Sequence, residues 1–273
     1  MERRRDVDAP VGGCAVRVRA LIVSVVLLAG TCYAGFIQSW FAASRPAAAS
    51  PPAVDTNTIA YWPCETWTTN AAGEYETLST VSTGTILRLY WMGAGYTRGI
   101  LPGNDPHSGT GGIAIVNLDD SARGRWDIIN SSLLNGAAGC TLEYWQKTPS
   151  NDTSTTGHRM HSNGTKQLGL LPADLGTNFY AYVNITSGGL RTGGSGMQTG
   201  VWTHVCFTYD SAAQLMAVYV GGVLIGARTE NRGAIQMDAN ILWSIGRGNA
   251  QFDDIRVRNR ALTSNEVWSA AHP

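Results

Sequence analysis

Glycoside hydrolysis, metal binding and nucleophilic catalysis each need particular side chains at particular spacings, and this chain offers few of them. Hydrolysis of a glycosidic bond needs two carboxylates flanking it. In the globular part the one alternating acidic pair is Glu74-Tyr75-Glu76. A strand would point both carboxylates one way, but the surroundings are polar and turn-like, and the pair reads as solvated loop charge. Asp119-Asp120 and Asp253-Asp254 are adjacent, so within a strand each pair would face opposite ways. His158 and His161 are three apart, which also divides them between the faces of a strand; they read as unrelated surface or turn residues rather than a metal pair. His204 sits among alternating strand residues and reads as a packed or hydrogen-bonded structural side chain rather than a catalytic base. There is no G-x-S-x-G elbow and no C-x-x-C spacing, so neither a hydrolase nucleophile of that type nor a zinc site is indicated. No catalytic, cofactor-binding or metal residue is assigned, and the chain is read as not an enzyme.

The elements that would carry any site are clearest between Trp202 and Ala271. Val205, Phe207 and Tyr209 alternate with His204, Cys206 and Thr208, and Leu215 to Val220 is a second β-prone run. Gly221-Gly222 tolerates positive φ at both central positions of a tight primed turn, so a hairpin into Val223-Leu224-Ile225 follows. Ile241 to Ile245 and Phe252 to Val257 are further strands. Thr263 is an N-cap candidate with Glu266 three residues on, and Leu262 and Val267 flank them as a hydrophobic staple. These signals predict a short closing helix over Ser264 to Ala271.

Earlier strands are expected at Ile59 to Glu65, Ile86 to Trp91, Ile113 to Leu118, Trp126 to Ile129, Cys140 to Lys147, His158 to Ser162, Gln167 to Leu171 and Phe179 to Asn184. Short strands bounded by turn residues at such spacing suggest an antiparallel sandwich. The remainder of 66–112 is polar and glycine-rich and reads as a long loop.

The motifs Trp202-His204-Val205-Asp210, Tyr219-Val220-Gly222 and Phe252-Asp254-Arg256-Arg260-Ala261-Leu262-Glu266 follow in the order and spacing of the laminin-G-like family of concanavalin A-like domains, which the chain resembles over about residues 59–271. Thr141, Trp145 and Lys147 resemble that family's central strand, and Ile113 to Leu118 with Trp126 to Ile129 resemble its paired strands around an acidic turn. The resemblance implies an all-β fold, an antiparallel two-sheet jelly-roll sandwich with a short C-terminal helix. It also implies structural roles for Asp254 and Arg256 at the strand-to-helix junction. The hydrolases on this fold share an E-x-D-x-E strand, which this chain lacks. Relatives such as pentraxins bind calcium with acids and amides at places that here hold Asn151, Asp152, Gln236 and Asp238; these are the candidate Ca2+ ligands, and no cofactor is assigned.

Ahead of the domain, residues 1–19 are basic, and Ala20 to Ser44 is an uncharged run of 25 residues. That run reads as an N-terminal hydrophobic helix, either a signal peptide or an uncleaved signal anchor, since it is long enough to cross a bilayer and Trp40 lies where an interfacial anchor would sit. As an anchor it leaves the N-terminus inside and the domain outside. Cleavage after Ala34 would instead yield a secreted protein. Residues 45–58, rich in Pro, Ala and Ser, form a semi-extended linker.

Residues 1–45 hold six Arg and three acids, and 46–273 hold fourteen basic and seventeen acidic residues. A mildly acidic exported part excludes a phosphate-tracking surface, so nucleic acid is not a partner. Cys64, Cys140 and Cys206 cannot all pair, and their apolar strand contexts favour buried thiols over one disulfide and a free thiol. Sequons stand at Asn130, Asn151, Asn163 and Asn184. The expected function is binding of a glycan or protein ligand at the cell surface through loops such as 66–112 and 148–165. The alternatives are a glycoside-active enzyme on the same fold and a purely structural surface protein.

Overall fold

The computed structural model describes residues 55–64, 66–72, 74–82, 84–90, 113–115, 125–129, 131–147, 158–161, 166–173, 178–185, 189–192, 194, 196–198, 200–237, 242–245 and 250–273. The hydrophobic run 20–44, the acidic turn at Asp119-Asp120, and Asn130, Asn151, Asp152, Asn163 and Asp238 lie outside them. Among the described residues no helix is long and apolar enough to cross a membrane.

Among the described residues, sixteen strands and one α-helix follow in order. They begin with β1 (Thr58–Trp62), β2 (Thr68–Thr69), β3 (Tyr75–Leu78), β4 (Ile86–Tyr90), β5 (Ile113–Ile115) and β6 (Arg125–Ile129). A 3-10 turn at Ser131–Leu134 precedes β7 (Gly139–Lys147), β8 (His158–His161), β9 (Lys166–Ala173), β10 (Asn178–Ile185) and β11 (Leu190–Arg191). The chain closes with β12 (Thr203–Asp210), β13 (Leu215–Val220), β14 (Val223–Thr229), β15 (Leu242–Ile245), β16 (Ala250–Arg258) and helix α1 (Ser264–Ala271).

They form two antiparallel sheets. The seven-stranded sheet runs β1-β16-β7-β12-β13-β14, with β5 also on β16, and the nine-stranded sheet runs β11-β10-β9-β8-β15-β6-β4-β3-β2. Alternation decides what lies between them. Trp62, Leu142, Tyr144, Phe207 and Val257 from the first sheet share one buried cluster with Leu87, Ile128, Leu168, Leu170, Phe179 and Ile245 from the second. Tyr144 meets Phe252 edge to face at 5.6 Å. Cys64, Cys140 and Cys206 are buried thiols outside any disulfide, and the Cys64 thiol donates to the Trp62 carbonyl at 3.3 Å.

The local turn signals translate directly. Gly221 and Gly222 have φ of 56° and 79°, as a primed turn demands. The Thr263 hydroxyl accepts from the Glu266 amide at 3.3 Å and the Glu266 carboxylate accepts from the Thr263 amide at 2.8 Å, completing the capping box. Leu262 and Val267 then pack with Cys206, Ala217 and Tyr219, so α1 lies on the outer face of the seven-stranded sheet.

Three expectations are corrected. The remainder of 66–112, read as loop, contributes β2 and β3, which extend the nine-stranded sheet beyond the expected strand β4. Ile113 to Leu118 and Trp126 to Ile129 are not partners: β5 pairs β16 and β6 pairs β4 and β15, in different sheets. Asp253 and Asp254 do not point apart. The register slips between Asp253 and Arg256, Asp254 takes φ of 46°, and this bulge turns its carboxylate toward the face that Asp253 occupies opposite Trp145.

Candidate functional site

The outer face of the seven-stranded sheet carries Glu143 on β7, His204 on β12, Arg256 and Arg258 on β16 and Tyr61 on β1, all buried. Register sets Glu143 beside Arg256 on one side and Cys206 on the other. The Arg258 guanidinium donates to Glu143 Oε1, Arg256 Nη1 lies 3.8 Å from the same oxygen, and His204 Nε2 lies 3.6 Å from Oε2. Burial works to raise the Glu143 pKa, but His204, then Arg258 and Arg256, outweigh it and hold the carboxyl down at about 2. Tyr61 donates to Asp254 Oδ1 while its ring lies 4.3 Å from the Arg256 guanidinium carbon. Burial and Asp254 together push the phenol well above its usual range.

The network continues outward. Arg258 Nε reaches Asp55 at 3.2 Å, and Arg260 grips Glu266 with two bonds of 2.8 and 3.0 Å, holding that carboxyl, with help from Thr263, at about 2. Asp55, the three arginines and Glu266 border an open cavity of about 330 Å³ beside α1. His204 packs against Trp145 at 5.5 Å between ring centres. The arrangement is an ion-pair lattice that joins β1, β7, β12, β16 and α1, and it gives His204, Asp254 and Arg256 work in the fold.

The outer face of the nine-stranded sheet is built differently. Glu76, Arg88, Asp127, Ser244, Arg159, Gly169 and Tyr182 occupy successive paired positions from β3 to β10. Six steps of about 4.8 Å make this row roughly 29 Å long. At one end Asn70 donates to Glu74 at 2.9 Å and to Glu76 at 2.8 Å, and Arg88 Nε sits 2.6 Å from Glu76 and 3.6 Å from Glu74. The Glu74-Tyr75-Glu76 pair is thus not loose loop charge: β3 pairing against β4 brings both carboxylates onto one amide and one guanidinium.

At the other end the Tyr182 ring lies across Gly169, where an added Cβ would stand 2.2 Å from it. Tyr180 covers Gly189 in the same manner at 2.7 Å, and the two rings are 5.6 Å apart. Tyr180 remains partly exposed. Composition alone could not reveal this strip, because Gly169 lies in the neighbouring strand β9 and Gly189 just ahead of β11.

Of the four calcium candidates only Gln236 is described, and its backbone amide donates to Asn184 Oδ1 at 3.0 Å. Asn184 Nδ2 in turn donates to the Arg232 and Ala234 carbonyls at 3.1 and 2.7 Å. That sequon asparagine is a pin between β10 and residues 231–236, with both amide hydrogens engaged. Among the described residues no three acids, histidines or cysteines converge as metal ligands.

The family model described as concanavalin A-like lectin/glucanases superfamily matches residues 120–268, more than half of the chain. The chain belongs to that superfamily. No curated protein matches this lectin-like chain. Among solved structures, the binding domain of botulinum neurotoxin DC in complex with rat synaptotagmin II superposes with a TM-score of 0.53 at 13% identity, over 80% of this chain and 52% of its own. The binding domain of the same neurotoxin in complex with SialylT gives 0.50 at 12% identity, over 80% and 51%. The Trypanosoma rangeli sialidase, in complex with 2,3-difluorosialic acid, gives 0.52 at 13%, over 82% and 34%. The lectin-like chain therefore spans about half of the neurotoxin domains and about a third of the sialidase. At such identities the likeness is one of fold.

Proposed function

We propose that this lectin-like chain is a non-enzymatic binding module, tethered to or secreted from the cell, that takes a glycan or protein ligand on the outer face of its nine-stranded sheet and through loops within 66–112 and 148–165. The observation that carries the reading is the row of roughly 29 Å that has Asn70, Glu76 and Arg88 at one end and, at the other, the partly exposed Tyr180 ring next to Tyr182, which is buried over Gly169. An accessible ring and fixed hydrogen-bonding groups suit sugar hydroxyls and extended peptides alike. The opposite sheet is occupied by α1 and the ion-pair lattice, which supports assigning ligand contact to the first. Neurotoxin domains of this fold in complex with synaptotagmin II and with SialylT lend the same reading support. Glycan-array binding with and without calcium tests it. Signal that persists in chelator is expected, and calcium dependence would shift attention to Asn151, Asp152 and Asp238.

A second reading has one observation in its favour, the convergence of Glu74 and Glu76. Retaining and inverting glycosidases both need a carboxylate pair open to substrate. Release of sugar from a polysaccharide panel, abolished by Glu76→Gln, would establish an enzyme in place of a binding module. Mass spectrometry of the mature N-terminus distinguishes the two fates of the leader, because a start at Gly35 removes the anchor.

A further inference from the structure

The two ends of the outer row on the nine-stranded sheet differ in charge. Near β2 and β3 two carboxylates, Glu74 and Glu76, share the single guanidinium of Arg88. At the opposite corner the balance reverses. Arg191 on β11 is the register partner of Tyr180, so the two lie on the same outer face, and Arg191 is exposed. The Tyr180 ring covers Gly189. Arg228 Nη1 donates to the carbonyl of that glycine at 2.6 Å, with 45% of its side chain exposed. Glu230 is reached by Arg228 Nε at 3.3 Å and by the Arg232 guanidinium. Among the described residues, three guanidiniums thus stand against one carboxylate in this group. From Lys166 to Tyr209 the sequence carries one acid, Asp174, which lies outside the described residues.

We propose that this corner takes the acidic end of a saccharide whose charge is confined to one terminus, with Arg191, flanked by Arg228, on its carboxylate or sulfate and Tyr180 against the sugar ring. The proposal rests on the nine-stranded sheet being the binding face and deepens that reading by naming the class of glycan. Guanidinium edges match either oxyanion, and an accessible phenol ring packs on the apolar face of a pyranose. Because the row crosses the strands, a bound peptide would gain no main-chain ladder along it, which favours a saccharide over an acidic peptide. Charge is read locally along a row of roughly 29 Å, since the screening length in physiological salt is about 8 Å. A repeating polyanion would lay further negative charge on Glu74 and Glu76, whereas a single terminal acid avoids them.

The test presents the full chain with neutral oligosaccharides, each beside copies capped by a carboxylated or by a sulfated sugar, together with heparin and an oligoglutamate peptide. Capped copies in at least one series should bind about tenfold more tightly than their neutral parents, and the preference should shrink in high salt. Arg191→Gln should reduce that preference to about twofold or less, and Arg191→Lys, which keeps the charge without the fork, should give an intermediate value. Equal binding of capped and neutral copies overturns the proposal while leaving glycan binding by this face intact. Absence of binding to every saccharide removes the glycan reading and the proposal with it. Heparin or oligoglutamate bound more tightly than all capped copies overturns it in favour of a polyanion or an acidic peptide. So does a preference unaltered in Arg191→Gln, or an equal loss of capped and neutral binding in that variant, which would mark Arg191 as a structural residue.

Discussion

Glu143 shows what a strand alternation of apolar and polar residues can hide. Its neighbours Leu142 and Tyr144 enter the core, and the carboxylate turns outward only to be buried among Arg256, Arg258 and His204. Because its folded pKa of about 2 lies below the ordinary 4.5, the unfolded chain takes up the proton first as pH falls. The stabilisation is complete above pH 4.5 and is lost on going down toward 2. Urea midpoints should therefore decline across that window, and Glu143→Gln should flatten the decline. At neutral pH the same variant leaves two buried guanidiniums undercompensated and should cost about 3–5 kcal/mol.

A second residue-scale outcome concerns Gly169. Gly169→Ala would drive a methyl into the Tyr182 ring, and a loss of about 1–3 kcal/mol in denaturant melts is expected from overpacking. Of these features, the structural roles of His204, Asp254 and Arg256 were legible from motif position. The bulge at Asp254 was not, because adjacent aspartates carry no local signal of an extra residue whose left-handed turn is set by the pairing of β16 with β7.

Among the elements, those with local chemistry were read most closely. Thr263 and Glu266 announce α1 before any tertiary contact is known, and its bounds fall where the capping box placed them. Thr263→Ala removes the acceptor for the Glu266 amide and should lower stability by about 1 kcal/mol, seen as a modest drop in Tm with the fold retained. Glycines 221 and 222 mark their hairpin equally well. β2, β3 and β11 were missed because two to four residues cannot establish a period, and each exists only through a partner strand. β5 and β6 were assigned to each other because Ile113 to Leu118 and Trp126 to Ile129 resemble the family's paired strands; here the first belongs to one sheet and the second to the other, a long-range choice that no window of residues contains.

For the whole molecule, ordered motifs across 59–271 sufficed to read an all-β two-sheet sandwich with a closing helix, and the superfamily match bears this out. The proposed ligand face was less accessible to sequence reasoning, which looked to loops, whereas the row from Glu76 to Tyr182 draws one residue from each of seven strands. A surface assembled across strands has no spacing to detect. The most direct measurement is the affinity of a glycan bound by the wild-type chain for Arg88→Ala, Tyr180→Ala and, as a control on the opposite sheet, Ser269→Ala, followed by calorimetry. Losses of about tenfold, or 1.4 kcal/mol, are expected for the first two with none for the third. Undiminished affinity in both Arg88→Ala and Tyr180→Ala would contradict the assignment of the nine-stranded sheet as the binding face.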